Sequence, residues 1–174
     1  MIPAHELGWM AGVIDLRGRI VYKNSALRKK NRQITLVAES KELPVIRRLA
    51  QLTGTKPEAR NQSALSEFIR KGCREHCPEV HIHVGPEVFL PSISRWTISG
   101  AAMVCVLDNL QPFLMVDRGY PEAVEEARAN TTLVGKGATA TIRALRRLEA
   151  LGWDLPDEYA HAVMENPTRE VVAA

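Results

Sequence analysis

The 174-residue chain predicts an α+β fold. The expected order is αββαββα, with a four-stranded antiparallel sheet and extra helices toward the C-terminal end. Three observations carry this. Residues 7–16 place small and apolar residues at helical spacing, and after Gly18 the period changes to alternation. Two pairs of alternating segments, 17–23 with 31–38 and 79–84 with 94–99, read as hairpins on either side of a helical stretch at 40–52. From Gly100 onward the pattern is helical again, with breaks rich in Gly and Pro.

The first helix has Gly8, Ala11 and Gly12 on one face. Small residues there let a second helix backbone approach closely. The run is too short and too soon charged to span a bilayer. In the first hairpin Arg17, Arg19, Val21 and Lys23 point one way, and Ile20 and Tyr22 the other. Residues 24–30 form a polar, basic turn. Beyond it Ile34, Leu36 and Ala38 face inward and Gln33 and Thr35 outward. Between Leu16 and Ala38 there is no acidic residue, while the basic ones are Arg17, Arg19, Lys23, Arg28, Lys29, Lys30 and Arg32. A solvated face usually mixes signs, and this one does not, which points to nucleic-acid contact.

Residues 40–52 follow as a helix. Ser40 is the expected cap, Glu42 suits the first turn, Pro44 is tolerated there, and Val45, Ile46, Leu49 and Leu52 form the apolar stripe that Gly54 ends. Residues 55–64 are turn-rich, and 65–72 make a short amphipathic piece. The chain then concentrates Cys73, His76, Cys77, His81 and His83. Cys73 and Cys77 can bind one ion from a turn, and His81 and His83 share a face of the next strand. Cys₂His₂ is a common tetrahedral structural zinc set, so Cys73, Cys77, His81 and His83 are the expected ligands, with His76 as a substitute. The alternative is free thiols, with histidines on the open sheet face.

In the second hairpin Trp96 and Ile98 alternate with Arg95, Thr97 and Ser99, and Pro86 and Pro91 lie in the connection. The next helix carries Met103, Val104, Leu107 and Leu110 and closes at Pro112, with Cys105 in the core. A further helix spans 121–129, acidic at its start. After a break at 130–137, residues 139–151 place Ile142, Leu145, Leu148 and Leu151 on one side and Arg143, Arg146 and Arg147 on another, a basic face for water in the first reading and for phosphate in the second. The tail after Tyr159 has little pattern and is expected to fray.

Composition bounds the function. Hydrophobic residues are 45% and charged residues 25%, and the net charge of +3 leans toward anionic partners. The length suits one domain, with a core at about 5–116 and a helical extension at about 117–160. No apolar run reaches about 18 residues. The layout of a signal peptide is missing, and three cysteines do not suit a disulfide framework, so a reducing cytoplasm is the expected compartment.

Residues 10–18, MAGVIDLRG, resemble the signature of the LAGLIDADG homing endonucleases. The segment RWTISGAAMVCVLDNLQPFL at 95–114 also resembles that family, where a strand bearing a Trp leads into a helix ending before Pro and an aromatic residue. The resemblance implies the family's αββαββα fold and pairing of two chains through the signature helix. It thus implies a homodimer with Gly8, Ala11 and Gly12 at the interface. It also implies duplex DNA as partner. The signature's second acidic residue, which carries the catalytic Mg²⁺ in the family, is Arg17 here, and a guanidinium cannot ligate that ion.

The leading expectation is therefore a DNA-binding protein that has lost cleavage. Arg17, Arg19, Lys23, Gln33, Thr35, Arg95 and Thr97 would face the groove, Arg28, Lys29 and Lys30 at the hairpin tip would hold phosphates, and Arg32 belongs to the same DNA-binding set. It could serve as a regulator or within a larger nucleoprotein assembly. The second reading is an active Mg²⁺-dependent endonuclease in which Asp15 takes over the metal. The third is a zinc-stabilised module that binds RNA or protein.

Overall fold

The computed structural model describes residues 1–25, 28–60, 93–135 and 138–166. Helix α1 (Ala4–Arg17) runs straight into strand β1 (Gly18–Ser25), and β2 (Arg28–Ser40) returns antiparallel to it. Helix α2 (Leu43–Thr53), the short strand β3 (Glu58–Arg60) and strand β4 (Ile93–Ser99) follow. The remainder is helical: α3 (Gly100–Leu110), a 3₁₀ turn (Gln111–Phe113), α4 (Tyr120–Asn130), α5 (Ala138–Ala150) and α6 (Asp157–Glu165).

The α1–β1 junction shows why Gly18 is needed. A Cβ there would sit 2.5 Å from the Ile14 carbonyl oxygen. Only glycine allows the helix to become a strand without an intervening loop. Just past β1 the hairpin is tighter than the alternation suggested. Strand β2 begins at Arg28, so Arg28, Lys29 and Lys30 belong to a strand and not to a seven-residue turn. The register slips between Lys23 and Ser25, where the ladder becomes irregular.

Sheet order is β1-β2-β4-β3, antiparallel throughout. The edge partner of β4 is β3, within the stretch expected to be rich in turns. The expected strand 79–84 lies outside the described residues, as does the amphipathic piece at 65–72. Alternation assigns the faces. Ile34, Leu36, Ala38, Trp96 and Ile98 are buried on one side against the helices. Trp96 is completely enclosed, and its Nε1–H donates to Thr53 Oγ1 at 2.9 Å, which in turn donates to the Leu49 carbonyl at 2.8 Å. This chain of bonds satisfies the polar atom that a buried Trp brings and fixes α2 on the sheet.

Ser40 does not cap α2 as expected. It is the last residue of β2, two positions before the N-cap Glu42, whose backbone N–H its Oγ accepts at 2.9 Å. Gly54 ends α2 in the left-handed region, φ 62°. Cys105 is in the core, where burial pushes its thiol up to about 12.

The C-terminal helices share one apolar cluster with the sheet and α1, including Leu145, Leu148, Trp153 and Tyr159. Two expectations change here. The tail does not fray at Tyr159: α6 continues to Glu165 with Ala162 and Val163 buried. The basic residues of α5 do not simply face water. Arg147 donates to the Gly54 carbonyl at 2.8 Å, and Arg146 donates to the Val163 and Asn166 carbonyls. Both guanidinium groups satisfy carbonyls at helix C-terminal ends, where the dipole is negative. No helix among the described residues is long and apolar enough to cross a membrane.

Candidate nucleic-acid interface

The face of the sheet opposite the helices is built in rows by the strand register. Val21, Thr35 and Ser99 form one row, and Arg19, Val37 and Thr97 the next. A third row holds Glu39, Arg95 and Glu58. Gln33, opposite Lys23, is exposed near the other end, beside Ser99, Asn130 and Thr132. Thr35 and Val37 are buried even on this face, because β2 is flanked by β1 and β4. The candidates Arg19, Gln33, Thr35, Arg95 and Thr97 thus share one surface. Lys23, Arg28, Lys29, Lys30 and Arg32 lie in the β1–β2 hairpin by backbone position.

The surface is not uniformly cationic, which corrects the sequence expectation. Glu39 sits on it between two arginines. Arg95 donates Nε and Nη2 to Glu39 Oε1 at 2.8 and 2.5 Å, and Arg19 Nη2 lies 2.8 Å from Oε2. Burial alone would raise this carboxyl. The hydrogen bonds and charges of Arg95 and Arg19 outweigh burial and hold it below its ordinary value. Glu58 accepts from Thr97 Oγ1 at 3.4 Å. The signal for Glu39's face was present in the sequence: extending the alternation one step past Ala38 puts it outward, and the strand register then sets it opposite Arg95.

Arg17 is the last residue of α1, not the first of a strand, and it leaves the row. Its Nη1 donates to Ser40 Oγ at 2.6 Å, and its Nη2 lies 3.5 Å from Glu42 Oε1. It ties the end of α1 to the start of α2. Asp15 is buried and fully engaged. Its carboxylate accepts the backbone N–H of Met115 at 2.8 Å and of Val116 at 3.4 Å. Arg118 donates to the Gly18 carbonyl at 3.2 Å, completing a clamp on the end of α1 that the sequence did not reveal.

The small residues of α1 divide. Ala11 is enclosed by the chain's own core, beside Met10 and Ile14, so it is not on an outer face. Gly8 is half-buried, and a Cβ there would lie 3.8 Å from Phe113. Gly12 is exposed with nothing within 4 Å of an added Cβ. The outer face of α1 is therefore Trp9, Gly12 and Leu16, with Leu16 79% exposed.

Among the described residues no three His, Cys, Asp or Glu side chains gather into a metal-sized group. Cys73, His76, Cys77, His81 and His83 lie outside the described residues.

No protein-family model matches the chain, and no curated protein does. Among solved structures it is similar to the homing endonuclease I-CvuI. One match is I-CvuI in complex with its target (Sro1.3) in the presence of Ca, at 12% identity and TM-score 0.45, covering 94% of this chain and 97% of that one. Another is I-CvuI with the I-CreI target (C1221) in the presence of Mg, with DNA not cleaved, at 12% identity, TM-score 0.48 and the same coverage.

Proposed function

We propose that the protein binds duplex DNA through the outer face of its sheet, as a homodimer, without hydrolysing it. The observation that carries the reading is the sheet face itself, which brings Arg19, Gln33, Arg95 and Thr97 onto one surface. The β1–β2 hairpin adds the chain's densest run of basic residues. Arg and Gln offer bidentate donor and acceptor edges to guanine and adenine, and the hairpin cations suit phosphates.

Two features support the loss of cleavage. Arg17 stands at the signature position of the metal carboxylate, with its guanidinium on Ser40 and Glu42. Asp15, the nearest carboxylate, is committed to two backbone N–H groups, so metal binding would require it to abandon them. The exposed Trp9, Gly12 and Leu16 face of α1 supports pairing of two chains. A structural zinc on Cys73, Cys77, His81 and His83 remains part of the proposal, on residue type and spacing.

The test is selection from a random duplex pool at fixed salt. Enrichment of a palindromic site supports base reading by a two-fold dimer. Recovery of an unenriched pool would overturn specific recognition.

A further inference from the structure

We propose that Glu39 is a positioning residue for base recognition: by holding Arg19 and Arg95 from both sides it aims two guanidinium forks at base edges and keeps them off phosphates. The inference rests on the DNA-binding reading and names what would give it sequence specificity.

The geometry is a three-strand bridge. Glu39 lies on the central strand β2, Arg19 comes from β1, and Arg95 comes from β4. Each carboxylate oxygen of Glu39 meets one arginine, Oε1 with Arg95 and Oε2 with Arg19. A guanidinium has five N–H donors. Arg95 commits its Nε and Nη2 groups to Glu39, and Arg19 meets it through Nη2, so donors remain on both for a second acceptor. Arg19 is about half exposed, while Arg95 and Glu39 are only about one-fifth exposed, so the bridge is anchored on its inner side and open at Arg19.

The charge arithmetic separates this arrangement from a plain basic patch. Two free arginines would present two positive charges to any phosphate, whatever the sequence. With Glu39 these three side chains carry one net positive charge, and Glu58 in the same row lowers the local charge further, so sequence-independent attraction is weakened. The planar donor edges survive, and they are the feature that discriminates guanine O6 and N7 from other groove patterns. A carboxylate inside a DNA-facing surface also repels a misplaced phosphate. Specificity gains from such a repulsive element as much as from an attractive one.

The experiment compares parent and Glu39→Gln at one salt concentration, on the selected duplex, on its single-base variants and on random duplex, with melting temperature recorded for both. Glutamine keeps the shape and an acceptor oxygen but removes the charge. The expected result is a several-fold gain in affinity for random duplex and a loss of about tenfold preference at each G·C pair that Arg19 or Arg95 reads. A variant that binds with unchanged base preference would overturn the inference and leave DNA binding intact. A parent that retains no duplex at all would overturn the DNA-binding reading, and this one with it. Should Glu39→Gln fail to fold, Arg19→Lys and Arg95→Lys carry the same readout. They keep the charge and lose the fork, so base preference is expected to fall while binding to random duplex persists. Retained preference in both lysine variants would overturn the inference.

Discussion

Asp15→Ala separates a structural carboxylate from a catalytic one. Asp15 is 8% exposed, and its carboxylate accepts the Met115 N–H at 2.8 Å and the Val116 N–H at 3.4 Å. Alanine removes both acceptors and strands the two donors at the end of α1. A hydrogen bond to a charged group contributes about 1.5–3 kcal/mol, and the longer contact adds little, so the expected loss is about 2 kcal/mol. For a chain of this size that corresponds to a fall in melting temperature of about 4–8 °C. Asp15→Asn keeps one carbonyl oxygen for the shorter bond and should lose about half as much. Thermal unfolding by circular dichroism measures both. If Asp15→Ala melts with the parent, the carboxylate is not a clamp, and a metal-binding role returns to consideration.

Four further outcomes are expected. Gly12→Leu should leave the monomer's fold intact, since nothing lies within 4 Å of an added Cβ, yet it should block close approach of a second α1; sedimentation showing an unchanged dimer would move the interface elsewhere. Changing Arg28, Lys29 and Lys30 together to Ala should flatten the dependence of log affinity on log salt by about 0.9 per lost phosphate contact, and an unaltered slope would remove the hairpin from the DNA surface. The Glu39 carboxyl is held below its ordinary value of 4.5, so its contribution to stability is present above that pH and is lost as pH falls through the depressed folded value. Glu39→Gln should therefore show a shallower loss of stability as pH is lowered below 4.5 in denaturant titrations. Protein purified without a histidine tag should contain about one zinc per chain by elemental analysis, and Cys77→Ser should lower both the metal content and the melting temperature; zinc-free protein with a chelator-insensitive melt would return the segment to plain sheet residues.

Much of the fold was legible where period carries the signal. The change from helical to alternating at Gly18 marks α1 and β1, and Trp96 with Ile98 marks β4. Strand β3 was not legible, because three residues define no period and only β4 beside them makes them a strand. Helix α1 is apolar or small on both sides, so sequence spacing could not tell that Ala11 goes into the core while Gly12 stays outside. Only packing against the sheet and the 3₁₀ turn decides it. Helix α6 was hidden because its buried positions, Tyr159, Ala162 and Val163, include a small residue and make a short stripe. The site was half legible. Alternation placed Arg19, Thr35, Arg95 and Thr97 on one face, but Arg17 left it because the helix runs one residue further than the alternation. The carbonyl partner of Arg147 could not be read at all, since Gly54 lies 93 positions away along the chain.

The most direct measurement incubates purified protein with supercoiled plasmid and Mg²⁺ and resolves the products both before and after the protein is stripped from the DNA. The expected result is a retarded complex that returns intact supercoiled plasmid once the protein is removed. Nicked or linear plasmid that appears only with Mg²⁺, and disappears in Asp15→Asn, would contradict it.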